Sequence, residues 1–179
     1  GVISSVQAAG YVDFMKILQD RWGGMAIEVA HVQVQGEVAA DQIIRAIEFF
    51  NQQEELPEIL VLVRGGGSAD DLAVFNDEKL VRAIASSRIP TVTGIGHEID
   101  ESLADLAADV KASTPTNAAQ LIVQDKKYII NQFSSELKNN LNKIKLDINR
   151  TEQTLQNIDS KILLKIEQEL SRSFDKYNT

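Results

Sequence analysis

The chain has 179 residues, 44% of them hydrophobic and 25% charged, a composition typical of a globular domain with room for an appendage. It contains no cysteine, which excludes disulfides, thiolate nucleophiles and Cys-ligated metal centres. The longest apolar run, Ile59–Val63, is too short to cross a bilayer, so we expect neither a membrane span nor a secretory leader. The composition is compatible with a reducing cytoplasm, and we expect a cytoplasmic protein.

The net charge of −8 is unevenly distributed. Residues 1–112 carry 8 basic and 18 acidic side chains, whereas residues 113–179 carry 10 basic and 8 acidic ones. A generally basic surface for nucleic acid is therefore absent. A polyanion would have to bind at a local site, at the basic tail, or on a module outside this chain.

Short apolar runs alternate with amphipathic stretches as far as Pro115, the last proline. This alternation predicts an α/β fold with a doubly wound, mostly parallel sheet of about four strands. We expect an α/β domain over residues 1–115. The predicted strands are Val2–Ile3, Met25–Val32, Ile59–Val63 and Ile89–Ile95, and the predicted helices are Ala8–Leu18, Ala39–Phe50, Lys79–Ala85 and Glu101–Val110.

Residues 116–179 contain neither glycine nor proline, which predicts a long helical extension. Its apolar positions recur in steps of four and three, the pattern of a coiled-coil seam. Such a stripe needs partner helices, unless the tail folds back as a two-helix hairpin, which we keep as the alternative. The seam positions are Leu137, Leu141, Ile144, Ile148, Thr151, Leu155, Ile158 and Ile162.

Polar and glycine-rich segments follow each of the four predicted strands. In open α/β sheets, ligands bind outside the carboxyl ends of the strands, so these segments predict a site at that edge of the sheet. They are Ser4–Ser5, Gln33–Gly36, Arg64–Ser68 and Gly94–Glu98.

The segment Arg64–Ser68 has the chemistry of an anion-binding turn. Gly65, Gly66 and Gly67 leave backbone N–H groups unshielded, and the guanidinium of Arg64 suits phosphate oxygens. A flexible turn with a solvated arginine is the alternative. The segment matches neither a P-loop nor a dinucleotide fingerprint.

His97 is the best candidate for proton transfer near neutral pH. If a helix begins here, Asp100 shares a face with it and can orient the imidazole or a water molecule. Glu98 follows His97 as in a zinc-protease motif, but position 101 is glutamate, so that interpretation fails.

Four other titratable residues have simpler explanations. Asp13 lies one turn into the helix that follows Ser4–Ser5, between Val12 and Phe14. A single aspartate beside apolar neighbours is expected to be solvated. Asp105 and Asp109 repel as i and i+4 neighbours and are also expected to be solvated. His31 has no acidic neighbour in sequence and is expected to serve packing or the surface.

Taken together, residues 1 to about 125 resemble the catalytic region of the exodeoxyribonuclease VII large subunit family. The motifs occur in the family's order and cover the whole α/β region, while the tail resembles the family's helical extension in character. The matching stretches are Gly1–Ser5, Val34–Gly36, Arg64–Leu72 with Phe75–Asn76, Gly96–Asp100, Ala104–Asp109 and Thr114–Ala119.

The resemblance implies a nuclease that degrades single-stranded DNA from both ends without a divalent metal or other cofactor. It implies catalytic roles for Arg64, His97, Asp100 and Asp13. It also implies an N-terminal OB-fold absent from this chain, and a truncated extension over 116–179 that carries several small subunits. As phosphate-binding residues we predict Gly65, Gly66, Gly67, Ser68, Ser4 and Ser5.

Three alternatives remain open at this point. In one, Asp13, Asp100 and Glu98 hold Mg²⁺. In the second, the chain is a binding module for phosphate or nucleic acid on a coiled-coil rod, without catalysis. In the third, the enzyme acts on a small phosphorylated metabolite, because anion-binding turns occur in many such folds.

Overall fold

The fold is taken from a computed structural model, which describes residues 1–65, 69–96 and 101–177 and, within them, all side chains except those at 69–71 and 174–177. Strands and helices alternate as expected from the sequence. The strands are β1 (Val2–Ser4), β2 (Val29–His31), β3 (Leu60–Val63), β4 (Thr91–Gly94) and β5 (Val110–Lys111). The helices are α1 (Ala9–Arg21), α2 (Ala39–Asn51), α3 (Glu78–Ala85), α4 (Leu103–Ala107), α5 (Pro115–Ile122) and α6 (Lys126–Tyr177), and a 3₁₀ segment spans Ala69–Asn76.

The described strands form one parallel sheet in the order β2-β1-β3-β4-β5. Strand β3 shows how both faces are covered. Leu60 and Leu62 point into one apolar core, and Val61 and Val63 into the other, because successive side chains of a strand alternate between its faces. The first core includes α2 and α3, and the second includes α1 and α5. The predicted doubly wound α/β fold is confirmed.

The last strand is where the structure departs from the sequence-based prediction. Glu101–Val110 was expected to be one helix, but α4 ends at Ala107 and Val110 begins β5. The reason is a pair of hydrogen bonds to Thr91, whose backbone N–H and hydroxyl both donate to the Asp109 carboxylate, at 2.8 and 2.9 Å. They hold residue 109 beside β4, so the next two residues extend the sheet.

The chain divides into two compact units, Gly1–Lys127 and Tyr128–Thr179. Helix α5 belongs to the first unit, where it packs on α1 and β4. Arg21 also reaches across this unit, its Nε donating to the carbonyl oxygen of Val123 at 2.8 Å. The predicted domain boundary at residue 115 stays a prediction.

Helix α6 runs without a break for 52 residues, about 78 Å at 1.5 Å per residue. A fold-back hairpin within it is therefore excluded. Side chains at 130–173 are exposed, including the predicted seam residues Leu137, Ile148 and Ile162. The coiled coil itself stays a prediction. Within the described ranges, no helix combines the length and apolar character needed to cross a membrane.

Candidate active site at the switch point of the sheet

The strand order reverses direction between β1 and β3, since β2 lies beyond β1 on one side and β4 beyond β3 on the other. Loops that leave such a switch point diverge to opposite faces of the sheet and open a crevice at the carboxyl ends of the strands. A cleft of about 450 Å³ lies there, a size typical of small-ligand sites. Its lining includes Ser5, Gln7, Ala8, Gln33, Gln35 and Gly65. We call it the switch-point cleft.

Ser4 joins the two strands that flank the switch point. It is fully buried at the end of β1, and its Oγ donates a hydrogen bond to the carbonyl oxygen of Val63, at the end of β3, over 2.8 Å. The proton of the hydroxyl is thus engaged within the fold. Ser5, the next residue, is half-buried and lines the cleft. Phosphate binding by either serine stays a prediction.

Arg64 is buried immediately after β3, with 4% of its surface exposed. Its backbone N–H donates to the carbonyl oxygen of Gly94 over 3.3 Å, continuing the pairing of β3 with β4 in which Val63 lies opposite Gly94. The segments that begin at Arg64 and at Ile95 therefore leave neighbouring strand ends.

Two glycines, Gly10 and Gly94, allow helices to approach these strand ends. Neither was assigned this role from the sequence. A Cβ on Gly10 of α1 would lie 2.6 Å from the carbonyl oxygen of Arg64 and 2.8 Å from the Cα of Gly65. A Cβ on Gly94 would lie 3.1 Å from both the Cβ of Ala118 and the carbonyl oxygen of Thr114. Glycine in the first turn of a helix beside a polar strand end is the sequence signal that could have identified the first.

Asp13 is exposed on α1, one helical turn after Ala9, which also lines the switch-point cleft. Residues at i and i+4 share a helix face, so Asp13 lies on the side of α1 that begins at the cleft. Among the described residues, no three or more His, Asp or Glu side chains are grouped as metal ligands would be.

Several predicted site residues lie outside the described ranges: Gly66, Gly67, Ser68, His97, Glu98 and Asp100. The structure does describe the residues on each side of 97–100, the stretch that contains His97 and Asp100. Ile95 is buried, and Glu101 accepts a hydrogen bond from Nζ of Lys111 on β5 at 2.8 Å. This contact raises the pKa of Lys111 above its ordinary value.

Asp105 was expected to be solvated, and this prediction is wrong. It is buried and forms a capping box with Ser102, whose hydroxyl donates to the Asp105 carboxylate at 2.7 Å. The spacing Ser-x-x-Asp before a helical run was a readable signal for that cap. Asp109 is exposed, but the two hydrogen bonds from Thr91 hold its pKa below the ordinary aspartate value.

His31 ends β2 as an exposed side chain. Its Nδ1 accepts a hydrogen bond from the backbone N–H of Val6 at 3.2 Å, which ties the loop after β1 to the end of β2. His31 was expected to serve either packing or the surface, and the structure places it at the surface.

Comparison with known proteins gives a consistent result. The family model described as exonuclease VII, large subunit, matches residues 1–179. A protein of Hamiltonella defensa named exodeoxyribonuclease 7 large subunit is 44% identical over 135 residues, which are 75% of this chain and 30% of that protein. A protein of the same name from a Cyanothece species is 48% identical over 69% of this chain and 29% of its own length. Another, from Rickettsia canadensis, is 43% identical over 89% of this chain and 36% of its own length.

The chain thus spans about a third of the length of these curated relatives. The match nevertheless runs through the strands, the switch-point loops and the helical extension. The chain belongs to the exonuclease VII large subunit family.

Proposed function

We propose that this chain is the catalytic part of an exodeoxyribonuclease that hydrolyses phosphodiester bonds of single-stranded DNA from both ends without a divalent metal. The names of its relatives support nuclease activity. The observation that carries the proposal is the position of Arg64, buried at the end of β3 beside the strand end from which the segment with His97 departs. Both candidate groups thus leave adjacent strands at the edge where α/β enzymes bind their ligands.

In this scheme Arg64 stabilises the negative charge that develops on the phosphate during attack by water. A guanidinium presents a planar pair of donors that matches two phosphate oxygens. Its burial strengthens this interaction, because a charge in a low-dielectric site is poorly screened. The backbone amides of Gly65, Gly66 and Gly67 add further donors. Loss of one well-placed donor reduces turnover by about 10²–10³-fold in other enzymes.

His97 transfers the proton, either from the attacking water or to the leaving oxygen, a contribution of about 10²–10⁴-fold. Asp100 orients His97 or the water. Asp13 supports this cluster from α1, whose first turn contacts Arg64 and Gly65 through Gly10. Ser4, Ser5 and Ser68 are the further phosphate contacts of the proposal.

The helical extension has a separate role in this proposal, which is to carry small subunits, in several copies. Its exposed stripe at Leu141, Ile144, Leu155 and Ile158 has the spacing of a coiled-coil seam. A stripe of this kind is stabilised when partner helices cover it. We place the assembly in the cytoplasm, in keeping with the cysteine-free composition.

The test is cleavage of end-labelled single-stranded DNA by the full-length large subunit assembled with its small subunit, in excess EDTA. Each end of the strand is labelled in turn. We expect short products from both labels in the presence of the chelator, and at least a 10²-fold slower reaction for His97→Ala.

Three results would contradict parts of this proposal. Cleavage lost in EDTA and restored by Mg²⁺ would favour the site formed by Asp13, Asp100 and Glu98. Binding of the strand without any product would favour a binding module, and turnover confined to small phosphoesters would favour a metabolic enzyme.

A further inference from the structure

The lining of the switch-point cleft indicates what kind of ligand it suits. Three residues with carboxamide side chains, Gln7, Gln33 and Gln35, belong to its lining, and none of the described lining residues is charged. A carboxamide offers both donors and an acceptor. It therefore suits a neutral, planar group with mixed hydrogen-bonding atoms better than it suits an anion.

Two of these glutamines lie on the loop that follows β2. Val32 and Val34 are buried, with 6% and 5% of their surfaces exposed, whereas Gln33 and Gln35 are exposed. Burial therefore alternates along this loop, and Gln33 and Gln35 are its solvent-accessible members, while Gln33, Val34 and Gln35 all contribute to the lining of the cleft.

Backbone contacts hold this loop in place. The N–H of Gln33 donates to Oε1 of Gln42 on α2 at 2.8 Å, and the N–H of Val32 donates to the carbonyl oxygen of Ser4 at 3.0 Å. Gly36 ends the segment with a φ of 88°, which glycine adopts without strain. The carboxamides are thus presented from an ordered loop.

The cleft also has a direction. Gly65, beside Arg64, follows β3, whereas Gln33 and Gln35 follow β2, and β1 lies between these two strands. Two strand spacings amount to roughly 10 Å. A nucleotide spans a comparable distance from its phosphate to the edge of its base.

From this arrangement we propose that the switch-point cleft is a nucleobase subsite. The carboxamides of Gln7, Gln33 and Gln35 bind the base of one nucleotide while its phosphate lies toward Gly65 and Arg64. This inference rests on the proposed nuclease function and adds to it a contact that recognises the base rather than the backbone.

The test combines a protein change with a substrate change, so that the contact between them is isolated. The full-length assembly and its Gln33→Ala/Gln35→Ala variant are compared on single-stranded oligonucleotides that carry one abasic residue at successive positions from the end. The readout is kcat/KM. Gln19→Ala, an exposed glutamine on α1 that does not line the cleft, is the matched control, and thermal unfolding shows that each variant is folded.

We expect the double variant to lose about tenfold in kcat/KM on the ordinary strand, from two hydrogen bonds of modest net strength. When the abasic residue occupies the proposed subsite, the kcat/KM of the wild type should fall by a similar factor. On that one substrate the variant and the wild type should have equal kcat/KM values. Gln19→Ala should match the wild type throughout.

An equal loss for the variant on ordinary strands and at every abasic position would overturn the inference, since the glutamines would then contact only the backbone. An unchanged kcat/KM on the ordinary strand would overturn it too. If the wild type cleaved no DNA at all, the proposed function would fail and the inference with it.

Discussion

The carbonyl oxygen of Arg64 lies so close to Gly10 that a single methyl group does not fit between them: a Cβ at position 10 would lie 2.6 Å away from it. Helix α1 therefore packs directly against the backbone that positions the candidate catalytic arginine. The backbone at Arg64 and Gly65 is held in place by this close contact with Gly10, in addition to the pairing of β3 with β4.

Replacing Gly10 by alanine should destabilise the protein, although glycine-to-alanine changes inside helices usually stabilise. Relief of the overlap requires α1 or the backbone at Arg64 to shift, and overpacking of this kind costs about 1–3 kcal/mol. DNA cleavage should fall as well, since the shift displaces Arg64. Urea unfolding gives the stability change.

The matched control for this change is Gly23→Ala. A Cβ on Gly23 would meet its nearest neighbour, the carbonyl oxygen of Gln19, at an ordinary 3.6 Å. This variant should unfold and cleave DNA as the wild type does. Equal stability of the Gly10 and Gly23 variants would show that the close packing of α1 on Arg64 is not a constraint.

Ser4→Ala tests whether the buried hydroxyl holds the switch point together. Its bond to the Val63 carbonyl at 2.8 Å should contribute about 1 kcal/mol to the free energy of unfolding. Ser5→Ala, at a half-buried position on the cleft, should change that free energy much less. If Ser4→Ala left the free energy of unfolding unchanged, the hydroxyl would not hold the switch point together.

Arg64→Lys keeps the positive charge and removes the planar pair of donors. We expect DNA cleavage by the full-length assembly to fall about 10²–10³-fold, measured as kcat on end-labelled strands with folding checked by circular dichroism. Arg82→Lys is the control, because the side chain of Arg82 is exposed and pairs with Glu78 at the surface of α3. Near-normal kcat for Arg64→Lys would remove the guanidinium from the mechanism.

Asp109 should make stability depend on pH in the acid range. Its pKa is lowered in the folded state by the hydrogen bonds from Thr91, so its stabilising effect is complete above the ordinary aspartate pKa of about 4. Below that pH the unfolded chain binds a proton first, and the effect disappears as pH falls through the folded-state pKa.

Asp109→Asn should therefore flatten the fall in stability below about pH 4, as measured by urea unfolding at a series of pH values. Thr91→Val, which removes one of the two donors to the carboxylate, should produce part of the same flattening. An unchanged pH profile in both variants would contradict the proposed contact.

Local patterns were sufficient to predict most of the fold. The apolar run that includes Leu60–Val63 forms a fully buried strand, as continuous apolar runs do in parallel sheets. Most of the tail without glycine or proline forms one long helix, α6, which follows the short helix α5. Strand β5 was not predicted because two residues have no periodicity, and its formation depends on the contact of Asp109 with Thr91 across the chain.

The candidate site was predictable in location and less so in detail. The glycine-rich and polar segments do follow the strands at the switch point. Whether a side chain there points inward depends on tertiary packing, however, and sequence gave no sign that the hydroxyl of Ser4 bonds to Val63. The close approach of Gly10 to Gly65 joins residues far apart in the chain, so its only sequence signal was a glycine in the first turn of a helix.

The central claim is that the guanidinium of Arg64 and the imidazole of His97 act on one phosphate. The most direct measurement is an experimental structure of the full-length assembly bound to a non-hydrolysable single-stranded DNA. The account predicts one phosphate within hydrogen-bonding distance of both side chains, about 2.7–3.2 Å. A bound strand whose phosphates contact only one of them, with the other side chain turned away from the DNA, would contradict it.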